Sequence, residues 1–411
     1  MMLLRAGSLA AHPAARWWIL FGLWLVYGSF GLVVVSIAPL VAPIQQELSM
    51  SHTAIGSIMG AWQLVYIGAA IPCGMLLDRI GGRLALLLGV ALVALSVLGR
   101  ALAVDYFTFL LAVMVFGLGG PIISSGAPKM VAELFSGSQR GLAMGVYMTG
   151  PALGGVIALA LTNSWLMPLL GMQWRWVMSV WAACAVLAGV IWMVIAWLCV
   201  PAATPVATSA ARPSQLTTML ELVRMPAVQV LLVMSTGVFL FNHGLNNWLV
   251  ELLRHGGMSA TTAGYWATLP TLVGIVASLV IPRLATPERR FLILGALCIA
   301  ALLACVLLRF QDPVPLTAGL LVQGLARATL MTVLILTLVE LPGIGEARAG
   351  VASGMFFSAA EIGGVLGPLG IGVMFDLSGG FDSSLNALAV VASLLALGCV
   401  VLKRLANAPQ R

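Results

Sequence analysis

Long apolar stretches recur along the whole chain, and they constrain its fold more than any other feature. Each has about 20 residues, the length that an α-helix needs to cross a hydrocarbon core of roughly 30 Å. Hydrophobic residues make up 61% of the 411 residues and charged residues only 8%, whereas soluble domains carry roughly 25% charged residues. A water-soluble fold cannot bury that much apolar surface. The sequence therefore predicts an all-α, polytopic membrane protein.

Twelve transmembrane helices are expected. The spans lie at 17–40, 54–77, 83–104, 106–132, 141–164, 175–199, 227–250, 261–283, 291–308, 314–338, 349–373 and 384–402. The first run is too long for a cleaved signal peptide, so we interpret it as a retained helix. Residues 201–226 are rich in Pro, Ala, Thr and Ser. They predict a flexible cytoplasmic linker between two six-helix bundles, 1–200 and 227–411.

The basic residues are distributed as membrane topology requires, singly or in pairs between apolar segments. With the N-terminus inside, fifteen of the 20 fall in cytoplasmic segments and four on the opposite side, which favours two cytoplasmic termini. The fifteen are Arg5, Arg16, Arg79, Arg83, Lys129, Arg140, Arg212, Arg224, Arg283, Arg289, Arg290, Arg348, Lys403, Arg404 and Arg411, and the four are Arg100, Arg175, Arg254 and Arg309. Despite the net charge of +7, this distribution predicts no nucleic-acid partner.

The six cysteines lie in or beside apolar stretches, and none forms a CxxC pair. This pattern predicts neither a disulfide framework nor a metal site. We also expect no cofactor.

The two halves of the chain resemble each other at an offset near 208 residues. MSHTAIG from Met50 matches MSATTAG from Met258, and VFGLGG from Val115 matches VQGLAR from Val322. RGLAMGVYMTGPALGG from Arg140 is similar to RAGVASGMFFSAAEIGG from Arg348. The matches are in order and in register, so they indicate a duplicated six-helix unit. Parallel halves of this kind are typical of one large class of transporters.

The loop after the second span resembles a signature of the major facilitator superfamily. A Gly is followed by Asp-Arg and then by Gly and Arg, at Gly74, Asp78, Arg79, Gly81 and Arg83. The resemblance implies a latch on conformational change. From the residues themselves, we expect Gly74 to allow close helix approach, Asp78 to lie at the N-terminus of a neighbouring helix, and both arginines to stay at the cytoplasmic surface. The alternative is a short polar turn with positive-inside arginines.

The fifth span carries small residues and a proline like those of the superfamily's Gly-Pro motif. They are Gly145, Gly150, Pro151, Gly154 and Gly155. Small residues at this spacing let helices pack closely in lipid, and direct solute contact is the alternative.

Shorter segments are similar to the cyanate and nitroimidazole porter branch of the superfamily. They are PKMVAELF, FNHGLNNWLVELL and AAEIGGVLGP. One departure is that Val113, four residues before Gly117, stands where many proton-coupled drug exporters of the superfamily carry an arginine. This departure disfavours a drug antiporter.

Two ionisable residues are predicted near the membrane midplane, Arg327 in the tenth span and Glu361 in the eleventh. Such residues are costly in a membrane and mark functional sites. A guanidinium offers a fork of donors suited to a carboxylate or another small oxyanion. Alternatively, the two residues form a buried structural pair. The interpretations merge if an anionic solute competes for Arg327 while protonation of Glu361 couples proton and solute binding.

Further candidates for solute contact are polar residues inside other spans. One helical face of the seventh span carries Asn242, His243, Asn246 and Asn247, and the N-terminal half offers Tyr27, Gln63, Tyr66 and Tyr147. Asn amides can orient a solute, and a histidine titrates near neutral pH. For the histidine and for each N-terminal residue, ordinary packing is the alternative.

The sequence favours a secondary transporter over an enzyme or a channel. No catalytic constellation lies within the spans, and no ring or filter is indicated. We expect a monomer that moves a small anion, monocarboxylate or cyanate-like, by alternating access and with possible proton coupling. Transport of neutral heteroaromatic or drug-like compounds is the alternative. The resemblance implies a bacterial inner membrane.

Overall fold

The computed structural model describes residues 15–199 and 215–406, and every regular element in them is helical. The predicted arginines at positions 5, 212 and 411, and both chain termini, lie outside the described residues. The first seven α-helices are α1 Ala15–Val35, α2 Val41–Leu48, α3 His52–Leu102, α4 Tyr106–Leu134, α5 Gly137–Leu161, α6 Met167–Leu169 and α7 Trp174–Cys199. The next seven are α8 Gln215–Val223, α9 Pro226–His255, α10 Ala260–Leu284, α11 Arg290–Leu307, α12 Pro313–Val339, α13 Gly345–Ser378 and α14 Asp382–Ala406.

Eleven of the described helical segments are long and apolar enough to cross a membrane. One of them, α3, has 51 residues and would be about 76 Å long at 1.5 Å per residue. It is interrupted at Gly81, whose φ of 76° and ψ of 158° are not helical. The predicted spans 54–77 and 83–104 lie on either side of that break. The prediction of an all-α polytopic protein is therefore confirmed.

Large apolar side chains on these helices stay exposed, including Ile71, Val233 and Leu292. Exposed apolar surface on this scale is unfavourable in water and favourable in lipid. The outer surface of the helices is thus built for a bilayer.

Contacts divide the described residues into two compact units. The first takes in the residues before Ser51 and those from Ala61 to Cys199. The second takes in Ser51–Gly60 and the described residues from Gln215 onward. The first turns of α3 therefore pack with the second unit.

In the first unit, α1 packs against α5 and α7. The contact with α5 is close because of glycine. A Cβ added to Gly150 would lie 2.8 Å from the carbonyl oxygen of Trp24, and one added to Gly154 would overlap the backbone of Gly28. Gly31 of α1 approaches the backbone of Pro151 in the same way. Gly145 has no atom within 4 Å of an added Cβ, because it lies outside this contact.

The second unit repeats this arrangement with α9 and α13. A Cβ on Gly363 would overlap the backbone of Thr236, and one on Gly367 would overlap that of Leu240. Elsewhere in this unit, α12 packs against both α10 and α11. Glycine pairs thus set the distance between equivalent helices of the repeat.

Part of the predicted linker 201–226 is helical. Its first part lies outside the described residues, but α8 occupies Gln215–Val223 and packs against α13 and α9. Leu222 is fully buried, and Glu221 forms an ion pair with Arg348 at 2.9 Å. The segment folds because its apolar residues recur at helical spacing, a signal that the Pro- and Ser-rich part conceals.

Candidate solute-binding site

Arg327 lies at the middle of α12 and is half-buried. Its Nη1 donates a hydrogen bond to Oγ1 of Thr271 on α10 at 3.0 Å, and Thr271 is buried. None of the ion pairs formed within the described chain includes Arg327. A guanidinium inside a membrane span that has a hydroxyl as its side-chain partner lacks a counterion.

Asn242, on α9, also contacts Arg327. Its Nδ2 donates to the backbone carbonyl of Arg327 at 3.2 Å. The side chain is buried with 9% exposure, and its Oδ1 has no hydrogen-bond partner among the described residues. Three helices of the second unit, α9, α10 and α12, thus converge on one charged residue.

The other members of the polar face of α9 have different surroundings. His243 is half-buried, close enough to Arg327 for electrostatic interaction, and its ring lies 5.0 Å from that of Phe239. Asn247 donates to the carbonyl of His243 at 2.8 Å, so its amide is used within the helix. Asn246 is half-buried. Of the four predicted residues, Asn242 forms the hydrogen bond to Arg327, and His243 interacts with Arg327 electrostatically.

Glu361 lies on α13 and is buried with 7% exposure. Its Oε2 has no hydrogen-bond partner, and no ion pair joins it to Arg327 among the described residues. The alternative of a direct structural pair is therefore not what the structure forms. A carboxyl group in such surroundings is buried at lower cost in its neutral form.

The four candidates of the N-terminal half lie in the first unit. The rings of Tyr27 and Tyr147 stack with centroids 5.6 Å apart. The hydroxyl of Tyr66 shares a hydrogen bond with Ser124 at 2.8 Å, and Gln63 is fully buried one turn earlier on α3. Phe30 lies 5.5 Å from Tyr27, so the two stacked tyrosines belong to an aromatic cluster.

The loop-signature residues are arranged around Gly81, where the positive φ requires glycine. Asp78 pairs with Lys129 near the end of α4 at 2.5 Å. The close approach expected at Gly74 is not formed by the described residues, since none of their atoms lies within 4 Å of an added Cβ.

The two arginines of the signature have different surroundings. Arg79 is exposed. Arg83 is half-buried, and its guanidinium lies 4.0 Å from the ring of Trp197. Its side chain is therefore partly covered, whereas the prediction placed it at the surface.

Sequence reasoning missed two further arginines inside the helices. Arg100, predicted in an outer segment, lies near the end of α3 with 1% exposure. Its Nη1 donates to the carbonyl of Val33 at 3.1 Å and to the hydroxyl of Ser36 at 3.3 Å. Arg290 is also buried and pairs with Glu340.

Helices long enough to cross a membrane, with exposed apolar side chains on their surfaces, define an integral membrane protein. The profile of the Major Facilitator Superfamily matches residues 19–368 and 246–410. The chain therefore belongs to the Major Facilitator Superfamily and is a transporter.

Individual relatives agree with this assignment. The chain is 22% identical over 393 residues to YycB, an uncharacterized transporter of Bacillus subtilis (strain 168), with 94% of both chains covered. It is 24% identical over 373 residues to the hexuronate transporter of the same organism, covering 85% of this chain and 86% of the relative. The crystal structure of a bacterial homolog to the human lysosomal transporter Spinster has the same fold, with a TM-score of 0.77, 18% identity, and coverage of 96% of this chain and 98% of that chain.

Proposed function

We propose that this transporter moves a small anion, a monocarboxylate or a cyanate-like ion, with Arg327 as its charge anchor. The observation that carries this proposal is that no described residue forms an ion pair with Arg327, whose side chain bonds to the hydroxyl of Thr271. Burying an unpaired charge costs several kcal/mol, of order 3–5 when a partner is removed. An anionic solute supplies the missing partner, and its oxygens suit the planar donor fork of a guanidinium.

The relative named as a hexuronate transporter supports an organic anion as the solute. The short segments similar to the cyanate and nitroimidazole porters are compatible with that class and are part of the same proposal. We place the protein in a bacterial inner membrane as a monomer, with both termini cytoplasmic.

Transport would proceed by alternating access. The residues around Gly81, with the Asp78–Lys129 pair, would act as a latch on that change. Glu361 would carry the coupled proton, because burying a carboxyl group costs less free energy when the group is neutral.

The first test is binding of a panel of carboxylates, cyanate and heteroaromatic compounds to the purified protein. We expect a monocarboxylate or cyanate to raise the melting temperature of wild type, and Arg327→Ala to abolish the effect. Arg327→Lys should restore part of it, because the charge returns without the planar fork. Arg289→Ala, at an exposed arginine, is the control and should bind as wild type does.

A second candidate function is transport of neutral heteroaromatic or drug-like compounds. The aromatic cluster of the first unit, with Phe30 and Phe116 at 5.0 Å in addition to the stacked tyrosines, favours flat rings. If such compounds bind, and if Arg327→Ala binds them equally well, this candidate replaces the anion transporter.

A further inference from the structure

The side-chain amide of Asn242 is held in one orientation. Its hydrogen-bond partner is the carbonyl oxygen of Arg327, which only accepts, so the amide nitrogen must face it. The amide oxygen therefore points the other way, where it is buried and receives no hydrogen bond. A buried acceptor without a donor is unfavourable, and Asn242 has 9% exposure.

A second acceptor of the same kind lies one turn from Arg327 on α12. Gln323 has 1% exposure, and its Oε1 also lacks a partner. Residues four apart on a helix are neighbours on its surface. Arg327 is thus flanked by amide oxygens that need donors, while the guanidinium itself offers donors and needs an acceptor.

A solute that satisfies both needs carries an anionic group and a hydrogen-bond donor. A hydroxyl group is the donor that fits, because an ammonium group would be repelled by Arg327. We propose that Asn242 determines specificity by accepting a hydrogen bond from a hydroxyl of the solute, and that the transported anion is a hydroxylated carboxylate. This inference rests on the proposed function, with Arg327 holding the carboxylate.

The test compares three carboxylates with the same three-carbon skeleton: propionate has no hydroxyl, lactate has one and glycerate has two. Binding is measured by isothermal titration calorimetry on the full chain in detergent. We expect wild type to bind lactate or glycerate about tenfold more tightly than propionate, the effect of one buried hydrogen bond to a polar group that is otherwise unpaired. Equal affinities for all three would overturn the inference and leave the anion transporter standing.

Variants of Asn242 test whether this residue causes the preference for hydroxylated carboxylates over propionate. Asn242→Leu keeps the volume but removes the amide, so we expect it to bind all three carboxylates with the affinity of wild type for propionate. Gln229→Leu makes the same change at an exposed amide of α9, and it should keep the tenfold ratio. A ratio retained in Asn242→Leu would overturn the role of Asn242.

Two further results keep the inference separate from the proposed function. If Asn242→Leu does not fold, Asn242→Ala replaces it, and the wild-type ratio still decides whether a hydroxyl is recognised. If wild type binds none of the three carboxylates, this inference fails, while binding of cyanate still decides the proposed function. If Arg327→Ala binds all three as wild type does, the proposed function fails and this inference fails with it.

Discussion

Three arginines of this transporter, Arg100, Arg290 and Arg327, are stabilised in different ways. Arg290 pairs with the carboxylate of Glu340. Arg100 donates to the end of α1, through the carbonyl of Val33, where the helix dipole is negative. Arg327 donates a hydrogen bond to the hydroxyl of Thr271. Of the three, it is Arg327 that forms, within the described residues, neither an ion pair nor a side-chain hydrogen bond to a helix end, and this contrast is the basis for placing the solute there.

Arg100 is expected to be structural, and its removal should lower stability. Arg100→Ala removes the donor to Val33 and Ser36 and leaves a cavity, a change that costs about 2–4 kcal/mol. Arg100→Met keeps most of the volume, so it should cost less. The measurement is the melting temperature in detergent, with Arg289→Ala at the surface as control, which should stay within about 0.5 kcal/mol of wild type. A wild-type melting temperature for Arg100→Ala would contradict this role.

The residue scale is also where sequence reasoning was least complete. Counting basic residues placed Arg100 in an outer segment because the count uses only distance from the nearest span. It contains nothing about the direction in which a side chain points. Asp78 and Lys129 are 51 residues apart, and no local pattern predicts such a pair.

At the scale of elements, the spans followed from the sequence almost completely. The predicted span 106–132 corresponds to α4 Tyr106–Leu134, and 314–338 corresponds to α12 Pro313–Val339. The agreement is physical, since the bilayer fixes the length of an apolar run. The sequence did not predict that the second and third spans are joined in one helix. In α3 they are joined through a polar segment in which the backbone leaves helical geometry at Gly81.

The contact between α1 and α5 gives a matched pair of glycine substitutions. A Cβ at Gly154 would overlap the backbone of Gly28, whereas Gly145 of the same helix faces open space. Gly154→Ala should therefore destabilise the protein by about 1–3 kcal/mol through overpacking. Gly145→Ala should be neutral or stabilising by up to about 1 kcal/mol, because alanine favours the helix. Thermal unfolding of both variants checks the difference, and equal melting temperatures would show that this contact is not tight.

The beginning of α3 is held by a side chain from α13. The Asp376 carboxylate accepts hydrogen bonds from the backbone amides of His52 at 3.1 Å and Thr53 at 2.8 Å, and it acts as a helix cap supplied from another helix. Asp376→Ala should cost about 1 kcal/mol and speed hydrogen exchange of the first α3 amides several-fold. Asp376→Asn retains an acceptor and should have a smaller effect. Glu288→Ala, at an exposed carboxylate, should leave exchange unchanged; protection retained in Asp376→Ala would rule out the cap.

At the scale of the whole molecule, the duplication explains the scaffold but not the site. The glycine contact of α1 with α5 recurs between α9 and α13, so the packing is common to both halves. The charge is not shared, since Arg327 aligns with Gly120 and the polar face of α9 aligns with apolar residues of the first span. Residues present in one repeat only are not needed for the shared packing, which is why they are the ones assigned to the solute.

Coupling of transport to protons is the property of the whole molecule that Glu361 is proposed to provide. With wild type in proteoliposomes, a gradient of one pH unit should drive up to about tenfold accumulation of the anion if one proton accompanies it. Glu361→Gln mimics the neutral carboxyl group permanently. We therefore expect it to bind the anion and exchange it between the two sides, but to lose accumulation driven by the pH gradient.

Glu133→Gln, at an exposed glutamate, serves as the control and should accumulate the anion as wild type does. The opposite pattern, loss of anion binding with gradient-driven transport retained, would place Glu361 in the solute site and leave the proton carrier elsewhere. Unchanged accumulation in Glu361→Gln would remove this residue from coupling altogether. In that case its buried carboxyl group, which lacks a partner at Oε2, would be a packing feature of α13, and the driving ion would have to bind without it.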